Sequence, residues 1–218
     1  GQECVVIDPG KDAASGVADV IAERNLKPVA VVLTHGHLDH MWSVVPVCKA
    51  SNVPAYIHPG DRKLLADPLS GISGETRVAF ESMTGGHMQF TEPDDVRELA
   101  DQAMLELAGM QMVVDHAPGH TPGSVAFRVP EGGDYPQIMF SGDLLFAGSI
   151  GRTDLPGGDM NAMVDSLARV VPVSYTHLTL RMPSPVSLSL LAVSVLHNIL
   201  SVLLLIHITL TTTISPYT

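Results

Sequence analysis

A chain of 218 residues, 45% of them apolar, can bury one good core, so a single domain is the first expectation. Its formal charge of −11, with 12 basic residues that form no patch in sequence, argues against a nucleic-acid surface and for a small-molecule partner. The two cysteines, Cys4 and Cys48, lack the spacing of a disulfide framework or a Cys-based zinc site, which predicts buried apolar thiols in a reducing compartment, the cytoplasm.

The chain opens without Met or a secretory signal, inside what reads as a strand already under way from Glu3 to Ile7, so its natural start is expected upstream. Apolar positions at Val17, Val20 and Ile21 predict an amphipathic helix over Lys11 to Asn25. Val29 to Leu33 is a continuous apolar run, mostly valine, the mark of a strand covered on both faces. A loop from Thr34 to His40 follows, then a helix from Met41 to Ser51, a short strand from Ala55 to His58 and a helical turn from Asp61 to Ala66. The Gly- and Ser-rich stretch from Asp67 to Gln89 is expected as a loop lying over a site. Met110 to Val114, Ser124 to Val129 and Gln137 to Ser141 read as strands, and Asn161 to Val170 as a closing helix. Helices alternating with strands and hairpin-like pairs predict an α/β architecture of sheets sandwiched between helices.

The sequence changes character near Pro172. All 23 acidic residues lie at or before Asp165, and beyond Pro172 the only charged residue is Arg181. Ser187 to Leu210 is long enough in apolar residues to span a bilayer, for which ~20 suffice, but His197, Asn198 and His207 interrupt it and no basic cluster marks a cytoplasmic end. Val173 to Leu178, VSYTHL, resembles one reading frame of a transposase end sequence used as a sequencing adapter, and Leu205 to Ile208, LIHI, resembles a second frame. Residues 1–172 are therefore expected to form an incomplete domain without membrane contact, and 173–218 a non-native apolar tail.

The strongest chemical signal is THGHLDH, Thr34 to His40. Histidines at i and i+2 of an extended loop point the same way and suit a shared metal, while Asp39 and His40 can turn toward a neighbouring one. Two further segments pair a strand end with a Gly-containing loop and one ligand-type residue: DHAPGHTPGS, presenting His120, and FSGD, presenting Asp143. Each alone is an ordinary turn. Combined with the first motif they form a metal constellation.

These motifs, with the early VVIDPG and the stretch SGDLLFAGSIGRTDLPGGD from Ser141 to Asp159, resemble the metallo-β-lactamase superfamily, and within it the glyoxalase II branch, the hydroxyacylglutathione hydrolases. The likeness covers nearly all of residues 1–172. It implies an αββα sandwich, truncated here at both ends, with the site at the edge of two sheets. It assigns His35, His37 and His120 to a first metal, Asp39 and His40 to a second, Asp143 as the bridge and Asp8 as a support beneath them. The branch places one more histidine in a Gly-His-Gly loop after the closing helix; this chain runs into VSYTHL instead, and His177 lacks the glycines, so the role is not carried onto it. Of the other histidines, His58 is expected to cap a loop, His87 to be solvated and His116 to have a supporting or packing role; Trp42 is expected in the core or a pocket wall.

The resemblance implies two divalent ions, zinc first, with iron or manganese as alternatives. Two such ions ~3.5–4 Å apart lower the pKa of bound water to ~7 and present it to a carbonyl. Asp39 is the expected catalytic residue, positioning that water and handling its proton. A thiolate, with a reference pKa of ~8.5, leaves with little acid assistance, which suits the expected substrate, an acyl thioester of a small thiol. The alternatives are a mononuclear iron persulfide dioxygenase using His35, His120 and Asp143, and an inactive truncated metal-binding fragment. A β-lactamase is less favoured, because that group's second site usually carries a cysteine where this chain has Asp143.

Overall fold

The computed structural model describes residues 2–85, 88–132, 137–146 and 148–174, together with the strands at 189–192 and 204–207. His87, His177 and His197 lie outside the described residues.

The first half is a run of parallel strands with helical crossovers. Strand β1 (Glu3–Ile7) leads into helix α1 (Ala13–Arg24), then β2 (Lys27–Val32), a helical turn α2 (Leu38–Met41), α3 (Val44–Ser51) and β3 (Ala55–Ile57). Helices α1 and α3 both stop on an asparagine, Asn25 and Asn52, in the left-handed conformation that Asn tolerates better than most residues. The loop expected to run through His40 ends earlier. His37 is extended, and its carbonyl then accepts the N–H of His40 and of Met41, winding residues 38–41 into α2.

After a 3₁₀ turn at Arg62–Leu65, the segment read as a loop from Asp67 to Gln89 contains a second 3₁₀ turn, Pro68–Gly71, and a helix, α4 (Gly74–Thr84). Ser73 caps α4 by accepting the Thr76 N–H, and Gly85 closes it in the left-handed region. None of its residues is buried, so it carries no apolar stripe that a periodicity argument could detect. Strands β4 (Val96–Glu98) and β5 (Met104–Leu107) were likewise not anticipated; both are short and half exposed. β6 (Met110–His116), β7 (Val125–Val129), β8 (Ile138–Phe140), the small pair β9 (Leu145–Phe146) and β10 (Ser149–Ile150), and α5 (Met160–Ser174) complete the domain.

The strands form two principal sheets. One has β1, β2, β3 and β4 in parallel order, extended beyond β1 by β12 (Leu204–His207) and β11 (Ser189–Ala192); the other is the antiparallel set β5, β6, β7, β8. Alternation along β1 and β2 explains how they stack. Cys4, Val6, Val31 and Leu33 pack with Val17 and Val20 of α1 and Val44 and Val47 of α3. Their neighbours Val5, Ile7, Ala30 and Val32 face Met112, Val114, Val125, Phe127 and Phe140 of the second sheet. On that sheet's far side Met163 and Val170 of α5 pack on Ala117 and Ala126. The layers thus run helix, sheet, sheet, helix, the αββα order expected, and a strand buried on both faces must be apolar at every position.

Candidate metal centre

The loops that leave the C-terminal ends of β1, β2 and β3 meet those that follow β6 and β8, and there the polar residues gather. His35, His37, His40 and His120 are all buried, as is Asp8, while Asp143 is half-buried. Ligand atoms of His35, His37 and His120 lie within 4.8 Å of one another, and so do those of His35, His40 and Asp143. His35 belongs to both sets, so two adjoining pockets share it.

Three of the four imidazoles, those of His35, His40 and His120, are aimed by a partner behind them. Asp8 accepts the backbone N–H of Thr34 at 2.7 Å through Oδ1, and the Thr34 hydroxyl at 2.6 Å through Oδ2. With its only proton committed there, Thr34 Oγ1 accepts from His35 Nδ1 at 3.1 Å, which turns His35 Nε2 inward. Asp8 Oδ2 also takes the Nδ1 proton of His40 at 3.0 Å. The Nδ1 of His120 donates to the carbonyl of Arg152 at 2.7 Å, directing its Nε2 to within 2.8 Å of His37 Nδ1.

Burial, reinforced by the neighbouring His120, lowers His37 to about 4, so its ring is neutral at ordinary pH. Two ring nitrogens this close can share one proton or turn both lone pairs on a cation. The second nitrogen of His37, Nε2, is buried without a hydrogen-bond partner, a costly arrangement for a cluster that serves packing alone. The donor set of buried imidazoles and a carboxylate therefore fits a divalent transition metal.

Asp143 stands between the two pockets. One carboxylate oxygen lies 3.3 Å from His40 Nε2 and the other 3.6 Å from His120 Nε2. Burial alone would push the His40 imidazole down, but its bonds to Asp143 and Asp8 outweigh that and hold it well above the usual histidine range. Gly142 makes the placement possible: its φ is +50°, and a Cβ there would sit 2.5 Å from the Thr34 hydroxyl. Asp39 is placed differently from the other motif residues. Its side chain is 58% exposed at the rim, with one oxygen 3.7 Å from His40 Nε2, outside both convergent sets.

The remaining predicted residues fall around this centre. His58 accepts the Gly60 N–H, as a loop-capping histidine does, and its ring stacks on His116 at 3.9 Å between centroids. His116 in turn bonds the carbonyl of Pro122 at 2.9 Å, bracing the loop that carries His120. Trp42 is half-buried against Phe80 and Phe90. Cys4 and Cys48 are free and buried, as expected. One residue went unnoticed in the sequence: Asp61, fully buried beneath the histidine loops. An Asp at the head of a helical turn has the look of an ordinary cap, and nothing in its neighbours distinguishes it.

A family model described as the metallo-beta-lactamase superfamily matches residues 1–177. The chain belongs to that superfamily. Among curated proteins it is 41% identical over 173 residues to an uncharacterized protein of Mycobacterium tuberculosis, covering 77% of this chain and 75% of that one. It is 29% identical over 180 residues to the hydroxyacylglutathione hydrolase GloC of Haemophilus influenzae, covering 79% and 76%. Among solved structures it resembles the B3 metallo-beta-lactamase BLEG-1, with TM-score 0.65, 33% identity and coverage of 79% and 77%. It also resembles TTHA1623 in a di-iron-bound form, with TM-score 0.62, 35% identity and coverage of 81% of each chain. The family is one of metal-dependent hydrolases, and the αββα layering agrees with it. Among the described residues no helix is long and apolar enough to cross a membrane.

Proposed function

We propose that this protein is a hydrolase of acyl thioesters of a small thiol, working through two divalent metal ions, zinc in the first instance. The observation that carries the reading is the pair of adjoining donor sets that share His35, with Asp143 facing a histidine of each. His35, His37 and His120 would hold one ion, and His40 and Asp143, with Asp39 closing in from the rim, the other. Ions bound there would supply an activated water and neutralise charge developing on a carbonyl oxygen.

The chain's own groups do the rest. Asp8 and Thr34 fix the ring planes of His35 and His40, so these ligands need no reorganisation. Asp39, exposed and beside His40, is placed to exchange a proton between the site and solvent. No buried acid beyond Asp143 and the ligand set is needed for a thiolate to leave, its reference pKa being ~8.5. Support for the thioester comes from the glyoxalase II-like motifs around His120 and Asp143 and from the name of the Haemophilus influenzae relative. The resemblance to BLEG-1 keeps a β-lactam amide as the substrate to exclude.

A second reading has one observation in its favour. His35, His120 and Asp143 form a compact two-histidine, one-carboxylate group, the donor set of non-haem iron oxygenases; the di-iron-bound form of TTHA1623 makes iron a metal to look for under either reading. Elemental analysis of the purified chain, with S-lactoylglutathione, a β-lactam and a glutathione persulfide assayed on the same sample, separates the three. About two zincs per chain and thioester turnover that disappears in His120→Ala supports the hydrolase. One iron with oxygen uptake on the persulfide and no thioesterase overturns it in favour of the dioxygenase, and β-lactam turnover alone overturns the thioester.

A further inference from the structure

Asp61 is the most enclosed carboxylate in the vicinity of the metal centre, with 0% of its surface exposed, and it is not one of the candidate ligands. It sits between β3 and the 3₁₀ turn, where its own backbone is tied down: its N–H bonds the His58 carbonyl at 3.0 Å and its carbonyl accepts the Leu64 N–H at 2.8 Å. From this fixed base its side chain reaches both histidine loops. Oδ2 accepts the backbone N–H of Gly36 at 2.9 Å, and Gly36 stands between His35 and His37. The same oxygen accepts the hydroxyl proton of Thr121 at 2.6 Å, and Oδ1 accepts the N–H of Gly123 at 2.8 Å; these two flank the tip of the loop that starts at His120.

None of these donors is a cation. The charge is held by three oriented dipoles, and a fourth adds to them. With the Thr121 proton committed to Asp61, the Ser124 hydroxyl donates to Thr121 Oγ1 at 2.7 Å, so the chain from Ser124 through Thr121 to Asp61 is polarised in one direction. The loops also leave no slack around the carboxylate. A Cβ on Gly123 would lie 2.5 Å from the Asp61 backbone nitrogen and 2.6 Å from its carboxyl carbon.

We propose that Asp61 is a positioning residue for the first metal site. One carboxylate clamps the loop of His35 and His37, from one sheet, to the loop of His120, from the other, and so sets the spacing of the three nitrogens. The inference rests on the reading of these histidines as metal ligands. Its force comes from what neutralising the acid would do: an amide keeps one acceptor oxygen but turns an N–H either on the Gly123 N–H or on the Gly36 N–H and Thr121 hydroxyl, so the clamp loses its charge and at least one of its three bonds.

The test is cobalt(II) and zinc(II) binding by the full chain and by Asp61→Asn. Zinc affinity is measured by competition with a chromophoric chelator, and cobalt geometry by visible absorption. Supporting hydrogen bonds to ligand loops are typically worth roughly 10–100-fold in metal affinity, so Asp61→Asn is expected to lose that much at the tighter site and to change the cobalt spectrum. Thr121→Val, which removes one of the three donors without inserting a new one, is expected to lose several-fold, and Thr121→Ser to restore the parent value; this pair decides the matter if Asp61→Asn does not fold. Unchanged affinity and spectrum in Asp61→Asn or Thr121→Val, even with a lower melting temperature, overturns the positioning role and leaves the metal reading intact. A parent chain that binds neither metal overturns both.

Discussion

Asp8 and His40 are joined by a hydrogen bond of 3.0 Å in which both partners are buried, and the same carboxylate oxygen accepts the Thr34 hydroxyl. The φ of Asp8 is +48°, a backbone position that Asn also accepts. Asp8→Asn therefore changes the charge and one acceptor with little backbone strain. It is expected to leave a buried donor facing a donor and to cost about 1–3 kcal/mol of stability. Urea denaturation of the metal-free protein measures this; a midpoint equal to that of the parent would mean that the Asp8 network contributes nothing to the fold.

Gly142→Ala tests the same network from the other side. The new methyl meets the Thr34 hydroxyl, in a backbone conformation already unfavourable to alanine. The expected result is loss of bound metal together with a destabilisation of about 1–3 kcal/mol, read by elemental analysis and thermal melting. Full metal content in this variant would show that Thr34 does not set the orientation of His35.

Phe127 is completely buried between the two sheets, against Val5, Ile7 and Val32 on the facing side. Truncating it to Ala removes most of an aromatic side chain from the layer that joins them. A loss of about 3–5 kcal/mol is expected, with the melting temperature as the readout, and a loss below 1 kcal/mol would contradict the inter-sheet packing described above.

The cysteines carry a pH signature. Burial raises Cys4 to about 11, and burial with a smaller contribution from Asp95 raises Cys48 to about 12, from an ordinary value of 9.0. The folded protein keeps both protons where the unfolded chain gives them up. Stability attributable to them is therefore intact below pH 9 and falls as pH climbs from 9 toward the folded values. At pH 8 neither thiol should react with a disulfide reagent until denaturant is added; prompt modification of native protein would place one of them at the surface.

How much of this was legible in the sequence depended on whether a residue's role left a pattern. β1 and β2 were readable because burial on both faces demands an unbroken apolar run. THGHLDH stood out because it concentrates four side chains of ligand type in six positions, of which the fold gathers His35, His37 and His40 but leaves Asp39 at the rim, and His120 and Asp143 stood out because glycines mark the tight loops that carry them. α4 was not, since it buries none of its residues and has no periodic stripe to read. β4 and β5 are three and four residues long, too short to show alternation. Asp61 was invisible for a different reason. Its partners are the backbone of Gly36 and Gly123 and the hydroxyl of Thr121, 25 to 62 positions away, and bonds to main chain write no partner residue into the sequence.

The histidines of the first loop leave the parallel sheet, whereas His120 and Asp143 leave the antiparallel one. An ion held between them is thus a fastening across the seam of the sandwich, analogous to a disulfide that joins distant segments but reversible with a chelator. Its binding energy counts toward folding because the unfolded chain cannot assemble the same donors. Metal supply would then govern how long the molecule survives proteolysis as well as whether it can react, and a cell starved of the ion would be expected to lose the protein itself along with its activity.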